Sequence, residues 1–244
     1  MALQLLPTSV IAQVQLSPWF LDLHHVTGTN GRGTYDTNWK NDKQLHYSEK
    51  FGMQDGRDYP VFKHTAAMGS KVGLQYAMPV GGIVGSTIRA HRLLMHAAKE
   101  NKHVELAMEL FRSYYQQTSE SPWDITSTNA LQVCANKVGM DPEASAAFLA
   151  TNDGEDEVRA RVAANEAAGV TGVPLIMITS EMTNGHSGTE HKRVLHGAVP
   201  VETIRAAIID IAEKVARESP RSQICHTAGA RDAHVCGTFN TGCS

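Results

Sequence analysis

The sequence predicts an α/β fold in which a block of helices interrupts the α/β core. Three observations lead to this prediction. A β-branched apolar run at 170–178, followed by a return strand at 191–196, indicates a strand pair. Apolar residues recur at helical spacing between Ser86 and Gly169. A last amphipathic helix starts at Pro200 and completes the core.

The first eighty-four residues carry weaker signals. Alternating apolar residues over 10–23 predict a strand, which Pro18 interrupts. The polar stretch 24–59 predicts loops and one short helix at about 44–51. A glycine-punctuated stretch follows, with room for one short strand at 74–78.

Two helices open the predicted helical block. Ser86 or Thr87 can cap the first of them. Its predicted apolar stripe contains His91, Leu94, Met95 and Ala98. The stripe of the second contains Val104, Ala107, Met108, Phe111 and Tyr115, extended by Leu106 and Leu110. We therefore expect the second helix to be buried on most sides.

Stronger start and stop signals mark the later helices. Gly139 closes a third helix with the apolar stripe Leu131, Cys134 and Val138. Asp141-Pro142-Glu143 provides an N-cap, a proline at the first helical position and an acidic first turn. Asn152 or Asp153 caps a fifth helix that contains Val158 and Val162 and ends at Gly169.

The end of the chain contains a hairpin, a helix and a tail. Asn184-Gly185 indicates the hairpin turn. The final helix has Ile204, Ile208, Ile211 and Val215 on one face. Residues 219–244 lose this periodicity, which predicts a disordered tail.

Length and charge exclude several functional classes. The chain has 244 residues, a net charge of −3 and 42% hydrophobic residues, which predicts one large or two small globular domains. The balanced charge argues against nucleic-acid and membrane partners. No apolar run approaches the roughly 20 residues of a membrane span. The first basic residue is Arg32, so the positive start of a signal peptide is missing and we expect a cytoplasmic protein.

The four cysteines do not form a disulfide framework or a Cys-x-x-Cys motif. They are Cys134, Cys225, Cys236 and Cys243. Cys134 lies on an apolar helical stripe, which favours a buried core residue over a nucleophile. Nothing near the three tail cysteines would lower a thiol pKa.

Val173-Pro174 is the most informative pair of residues. Proline has no N–H for a sheet, so it fits the entrance of the strand better than its middle. A cis bond there would leave the backbone of Val173 free to pair with an extended peptide, and a trans proline at a strand start is the alternative.

Five segments together resemble one known family. Residues 168–175 (AGVTGVPL) are similar to the cis-proline segment of DsbA-family thioredoxin-fold proteins. Residues 90–94 (AHRLL) resemble the start of the helical insertion in the FrnE-like branch, and 193–198 (RVLHGA) resemble the segment before its last helix. Residues 17–22 (SPWFLD) and 49–52 (EKFG) are similar to its second strand and a following motif.

The resemblance implies a thioredoxin-like core that is N-terminally incomplete. Residues 1–84 would hold its first part, 85–169 the helical insertion, 170–218 its last part and 219–244 the tail. It implies a cis bond at Val173-Pro174 and a thiol or disulfide substrate, protein or small molecule, bound at Thr171, Gly172, Val173 and Pro174. We expect no metal, no cofactor and no catalytic residue in this chain.

Two departures from the family shape the expected function. The family's Cys-x-x-Cys lies upstream of the segment at Ser17, where only sixteen residues precede and none is cysteine. We therefore expect a truncated chain that is inactive in thiol–disulfide exchange as written. The family also usually has asparagine where Ser86 stands.

Two other functions remain as alternatives. One is a non-catalytic remnant that binds peptides at Val173. The other is an enzyme like the kappa-class glutathione transferases and 2-hydroxychromene-2-carboxylate isomerases, which share the fold without Cys-x-x-Cys. That class normally has an Asp-Arg pair near the start of the last helix, and the matching residues here, 196–200 (HGAVP), disfavour it.

Other polar motifs are weak. Cys225-His226 with His234-x-Cys236 could be offered as zinc ligands, but their spacing is poor for a tetrahedral site. His24-His25 precede a polar loop, which favours solvated histidines over metal ligands. Gly81-Gly82-x-x-Gly85 lacks the Lys-Ser/Thr ending of a phosphate loop. His91 fits a structural histidine better than a base.

Overall fold

A computed structural model describes residues 6, 10, 12–20, 37–52, 60–71, 73–76, 82–116, 122–180 and 191–218. Eight helices and four strands lie in these ranges. In chain order they are β1 (Lys40–Asp42), α1 (Lys43–Phe51), α2 (Pro60–Ser70), β2 (Ile83–Gly85), α3 (Ile88–Ala98), α4 (His103–Tyr115), α5 (Thr128–Lys137), α6 (Pro142–Ala150), α7 (Glu155–Ala167), β3 (Leu175–Thr179), β4 (Lys192–His196) and α8 (Val201–Glu218). This mixed α/β architecture, rich in helices and with small sheets, agrees with the predicted fold class.

Four helices of the predicted helical block surround one hydrophobic cluster. Helices α3, α4, α5 and α6 pack against one another around buried apolar side chains. Its members include Leu93, Leu106, Leu110, Leu131, Cys134 and Leu149. A second cluster joins Phe20 and Ile88 to Val158 and Val162 of α7. Burial of these apolar faces stabilises short helices that would be marginal alone.

The caps of the later helices confirm most of the sequence signals. Asp141 caps α6, where its carboxylate accepts a hydrogen bond from the Ala144 N–H at 2.7 Å. Ser127, which was not predicted as a cap, caps α5 in the same way, with 3.3 Å to the Ala130 N–H. The predicted cap of α7 is wrong, because Gly154, at φ 81°, occupies that position instead of Asn152 or Asp153.

Helix α3 is buried on more sides than predicted: of the predicted stripe, Leu94 and Met95 pack against the two clusters, and other faces of the helix are buried as well. Its buried residues are Ile88, Ala90, Arg92, Leu93 and Ala97. Thr87 occupies the N-cap position without a side-chain hydrogen bond, and Ala98 is exposed. The predicted stripe did not include Arg92, whose side chain contacts the end of α6 and the segment after it.

Helix α4 is less buried than predicted. Leu106, Ala107, Glu109 and Leu110 are buried, but Met108 and Phe111 are 51% and 56% exposed. The predicted stripe therefore divides between a packed face and an open face.

Strands β1 and β2 form an unpredicted two-stranded antiparallel sheet. Lys40 lies opposite Gly85, and Asp42 lies opposite Ile83. Ile83 also forms a parallel bridge with Asp124, and its N–H donates to the Trp123 carbonyl at 3.2 Å. Only three residues of each strand pair, which is too short for an alternation signal in the sequence.

Strands β3 and β4 form the predicted pair. The Ser180 N–H donates to the His191 carbonyl at 3.0 Å, and the Gly197 N–H donates to the Pro174 carbonyl at 2.9 Å. The residue numbers of the two pairs have the same sum, as they do in strands that run antiparallel. The predicted turn at Asn184-Gly185 lies outside the described residues.

The predicted strand at 10–23 is not formed in its described part. Residue 10 and residues 12–20 have no regular structure. Side chains hold this segment instead, since Asn165 Nδ2 donates to Ser17 Oγ and to the Pro18 carbonyl, both at 2.9 Å. Such contacts fix an extended chain without creating a sheet ladder.

Two further differences concern the region before β2. Helix α2 was not predicted, because Gly69 and the neighbouring glycines suggested a loop. The Cβ of any larger residue at 69 would lie 2.5 Å from the Tyr76 ring, so this glycine allows close packing. Residues 74–76 of the predicted strand 74–78 are irregular, and 77–78 lie outside the described residues.

The chain divides into two compact units. One comprises residues 8–176 and 195–198 and contains α1 to α7. The other comprises residues 1–7, 177–194 and 199–244 and contains α8. In this second unit, Arg193 of β4 pairs with Asp210 of α8 at 2.7 Å. The predicted tail at 219–244 lies outside the described residues.

Among the described helices, we find none that combines the length and the apolar character needed to cross a bilayer.

Candidate functional site

The candidate site is the loop between α7 and β3. Helix α7 ends at Gly169, whose φ of 82° is a left-handed conformation that favours glycine. The Gly169 N–H donates to the Glu166 carbonyl at 2.9 Å, and the Val170 N–H donates to the Asn165 carbonyl at 3.0 Å. This Schellman arrangement ends the helix at a defined residue and so fixes where the loop begins.

The peptide bond between Val173 and Pro174 is cis, as the resemblance implies. The Pro174 carbonyl accepts a hydrogen bond from the Gly197 N–H, which anchors the loop to the end of β4. The side chains of Thr171, Val173 and Pro174 are exposed, and that of Val173 is 49% exposed. Within the described ranges, the backbone N–H and carbonyl of Val173 make no hydrogen bond. The loop thus presents an apolar side chain beside free backbone groups.

The strand register places one further polar group near this loop. Because Pro174 lies opposite Gly197, Leu175 lies opposite His196. The His196 side chain is exposed, and Gly197 has a φ of 77°. The predicted site residues Thr171, Gly172, Val173 and Pro174 form this loop, and His196 lies opposite Leu175, the residue that follows them.

Cys134 has none of the features of a nucleophile. Its side chain is completely buried in the helical cluster, as predicted. Burial raises the pKa of the Cys134 thiol, and a contact of 3.5 Å with the Ser113 hydroxyl offsets only part of this effect. The thiolate form that attacks disulfides is therefore disfavoured. Cys225, Cys236 and Cys243 lie outside the described residues.

His91 is a structural residue. Its ring contacts the Phe20 ring at a centroid distance of 5.9 Å. Burial lowers the pKa of His91 to about 4, although a hydrogen bond with the Trp19 backbone opposes this change. The imidazole is therefore neutral at neutral pH and links α3 to the segment at 12–20.

The glycine-rich segment before α3 serves packing. The Gly82 carbonyl accepts a hydrogen bond from the Lys43 N–H at 3.1 Å. A Cβ on Gly85 would lie 2.4 Å from the Thr126 methyl group and 2.8 Å from the Trp39 carbonyl oxygen. Close contact between β1, β2 and the segment at 126 thus accounts for Gly85 without a phosphate. Gly81 lies outside the described residues.

The metal-ligand candidates cannot be placed. His24-His25, Cys225-His226 and His234-x-Cys236 all lie outside the described residues. In the described part of the chain, no three histidine, cysteine, aspartate or glutamate side chains group as metal ligands would.

A polar cavity of about 430 Å³ was missed by sequence reasoning. Its lining residues come from three separate parts of the chain: Asn38, Lys40, Arg89, Asp124, Thr126, Ser127 and Thr128. Lys40 pairs with Asp124 at 3.5 Å, and Arg89 donates to the Asn38 side chain at 2.9 Å. Asp124 thus neutralises Lys40, and Asn38 holds the Arg89 guanidinium. The cavity is therefore a hydrogen-bonded junction around the β1–β2 sheet. No local motif connects residues this far apart in sequence.

Comparisons with known proteins agree with this architecture. A probable DsbA oxidoreductase from Streptomyces coelicolor has a similar structure, with a TM-score of 0.57 and 22% sequence identity. The match covers 83% of this chain and 76% of that one. None of the curated proteins matches the sequence significantly. The profile of the DSBA-like thioredoxin domain family matches residues 32–209, which is most of the chain. The chain therefore belongs to the DSBA-like thioredoxin domain family.

Proposed function

We propose that this chain binds an extended polypeptide at the Val173 loop and does not itself catalyse dithiol exchange. Its family is one of thiol–disulfide oxidoreductases, so the expected ligand is a polypeptide segment that contains a thiol or a disulfide. The observation that carries the proposal is the exposed Val173, whose backbone N–H and carbonyl have no hydrogen-bond partner in the described ranges.

Binding follows from the chemistry of the loop. An extended peptide can accept a hydrogen bond from the Val173 N–H and donate one to the Val173 carbonyl, as a strand does when it joins the edge of a sheet. The half-exposed Val173 side chain adds apolar contact beside this backbone pairing. The hydrogen bond between Gly197 and Pro174 holds the loop in place before the peptide arrives, which reduces the ordering cost of binding.

The cysteine chemistry supports binding without catalysis. Exchange requires an exposed, low-pKa thiolate and a second cysteine that resolves the mixed disulfide. The sequence contains no Cys-x-x-Cys, and Cys134 is buried with a raised thiol pKa. We propose that any covalent step would need cysteines other than these. We also infer kinship with the FrnE-like branch, supported by the segments 90–94 and 193–198.

A fluorescence-polarisation assay tests the binding proposal. The probe is a labelled, unfolded, reduced and carboxymethylated polypeptide, which has no free thiol and no disulfide. We expect Val173→Glu to weaken binding at least fivefold, because it places a charge on the apolar contact. Val133→Glu is the matched control, since Val133 is 52% exposed but lies on α5.

Two results would contradict the proposal. One is a Val173→Glu variant that binds as well as the wild-type protein. The other is insulin reduction by the 244-residue chain at a rate well above the uncatalysed background, which would show that its own cysteines carry out exchange.

A further inference from the structure

Helix α4 has an open apolar face that the proposed function does not use. Val104, Met108, Phe111 and Tyr115 follow one another at spacings of 4, 3 and 4 residues. This is the spacing of the a and d positions in a coiled coil. Met108 and Phe111 are 51% and 56% exposed, whereas Val104 and Tyr115 at the two ends are half-buried.

The packing of α4 explains why this face is open. The helix packs against α3 and α5 through its other side, where Leu106 and Leu110 are almost fully buried. Phe111 contacts Tyr115 of its own helix at a ring-centroid distance of 6.1 Å, and Tyr115 contacts Tyr76 at 5.0 Å, so the open part of the face is centred on Met108 and Phe111. Met108 and Phe111 thus form a small exposed apolar patch that a second surface can cover.

The apolar face is complementary to itself. When two copies of α4 are placed antiparallel about a point between residues 109 and 110, Met108 meets Phe111 of the partner subunit. In the same register, Val104 meets Tyr115 of the partner subunit, since both pairs of residue numbers have the same sum. A two-fold axis requires this kind of self-complementarity, and closed two-fold dimers are the commonest assemblies.

The charges beside this face favour the same arrangement. Glu105 and Arg112 are both exposed and lie one on each end of the Met108–Phe111 pair. Antiparallel copies bring Glu105 near Arg112 of the partner subunit, whereas in a parallel pair these two residues would not face each other. Arg112 Nη1 already contacts Glu109 at 2.7 Å, which orients the guanidinium, and its other N–H groups donate to none of the described residues.

We propose that α4 binds α4 of a second copy of this chain as an antiparallel pair. The described segment at 12–16 widens the contact, because His103 Nε2 lies 2.8 Å from the Val14 carbonyl and so places exposed Val14 beside the first turn of α4. A helix of 13 residues is about 20 Å long. The interface then belongs to the class below about 1,200 Å², which gives weak, concentration-dependent dimers.

Sedimentation equilibrium of the full chain between 1 and 200 µM tests the proposal. We expect a monomer–dimer equilibrium in this range, and a loss of dimer of at least tenfold in Phe111→Glu. Leu45→Glu is the control, because Leu45 is 51% exposed on α1. Glu105→Lys should also weaken the dimer, and added salt should reduce this defect. A wild-type chain that stays monomeric at 200 µM, or a Phe111→Glu dimer of unchanged affinity, would overturn the proposal.

Cysteine cross-linking tests the orientation and does not depend on the folding of a charged variant. Cys225, Cys236 and Cys243 are first replaced by serine. Met108→Cys and Phe111→Cys are then made as separate chains with different tags and oxidised alone or mixed. The antiparallel pair predicts that the mixture cross-links several times faster than either chain alone. Faster cross-linking of the separate chains would indicate a parallel pair and overturn the proposal.

Discussion

Gly85 shows how a single residue without a side chain determines a local structure. It lies in β2 opposite Lys40, and a Cβ at this position would meet the Thr126 methyl group at 2.4 Å and the Trp39 carbonyl oxygen at 2.8 Å. Because one of these atoms belongs to the backbone, a side-chain rotation cannot relieve the contact. We predict that Gly85→Ala lowers the free energy of unfolding by about 1–3 kcal/mol, the usual range for overpacking.

Thermal unfolding measures this effect, and two variants make it specific. Gly172→Ala is the control, because nothing lies within 4 Å of its added Cβ, so its midpoint should change little. Adding Thr126→Ser to Gly85→Ala removes the closest methyl group and should recover part of the loss. If Gly85→Ala unfolds at the wild-type temperature, the close packing of β1 and β2 described above is incorrect.

Local signals predicted some residues well and others not at all. Asp141 and Cys134 were predicted because a cap and an apolar stripe depend on neighbours within four residues. Arg92 and Lys43 were not, since a single charged residue in sequence ordinarily indicates exposure. Their burial depends on carbonyl oxygens 56 to 71 residues away, which no local pattern reveals.

At the scale of elements, Arg92 joins three helices. Its side chain is 1% exposed, and its guanidinium donates from Nε to the Asp153 carbonyl at 2.7 Å and from Nη2 to the Thr151 carbonyl at 2.6 Å. A third, longer bond reaches the Phe148 carbonyl at 3.3 Å, and the Phe148 ring lies 5.1 Å away. Arg92 of α3 thus satisfies carbonyl groups at the end of α6 and just before α7.

We predict that Arg92→Met destabilises the protein by about 3 kcal/mol, because buried carbonyl groups lose their donors. For a chain of this size, this corresponds to a decrease in Tm of roughly 6–12 °C. Hydrogen exchange should accelerate first around residues 148–158. Arg161→Met is the control, since Arg161 forms an exposed i,i+4 pair with Glu157, typically worth less than about 0.5 kcal/mol. Equal effects of the two substitutions would contradict a capping role for Arg92.

The success of the element predictions depended on how local each element is. Helix α6 begins where Asp141-Pro142 predicts, and β3 pairs with β4, the next strand along the chain. Strands β1 and β2 pair across 41 to 45 residues, and the segment at 12–20 shows strand-like alternation without forming a strand. Strand formation requires a partner strand, and alternation reveals only which side chains face the same way.

For the whole molecule, the family resemblance supplied what periodicity could not. Spacing alone predicted helices and a hairpin, but the cis bond at Val173-Pro174 and the thioredoxin-like fold came from the combined order of five weak segments. The polar cavity at Lys40 and the open face of α4 were outside both kinds of reasoning. They depend on which sides of the elements pack together.

Two buried titratable residues predict how the stability of the whole chain varies with pH. Burial lowers the pKa of His91 to about 4 and that of Lys43 to about 8, against ordinary values of 6.5 and 10.5. Lys43 Nζ is held by the Tyr114 carbonyl at 3.1 Å and lies 3.8 Å from the centre of the Tyr114 ring. At pH values between the lowered pKa in the folded chain and the ordinary pKa in the unfolded chain, each residue is protonated only in the unfolded chain.

The free energy of unfolding should therefore rise with pH in both windows. From pH 4 to 6.5 the rise reflects His91, and from pH 8 to 10.5 it reflects Lys43. Four other groups limit the useful ranges. Hydrogen bonds and charges from cationic neighbours lower the carboxyl pKa values of Glu109 and Glu155 from 4.5 despite burial, and burial raises the pKa of Tyr115 to about 12. Burial also raises the pKa of the Cys134 thiol from its ordinary value of 9.0, which makes stability fall with pH in the alkaline range. Measurements at pH 5–6.5 avoid these titrations, and measurements at pH 8–10 are made with Cys134→Ala in both the reference and the variant chain.

We predict that a substitution at His91 or Lys43 removes the pH dependence of stability in that residue's window and leaves it in the other window. His91→Gln should flatten the dependence between pH 5 and 6.5, because glutamine keeps a polar group near the Trp19 backbone but takes up no proton. Lys43→Met should flatten it between pH 8 and 10 and raise stability most at the lower pH, where the wild-type lysine is charged and buried. Urea unfolding at half-unit pH steps measures both slopes. If Lys43→Met retains the alkaline slope, the Lys43 ammonium is solvated in the folded chain, and the contact between α1 and the end of α4 does not bury it.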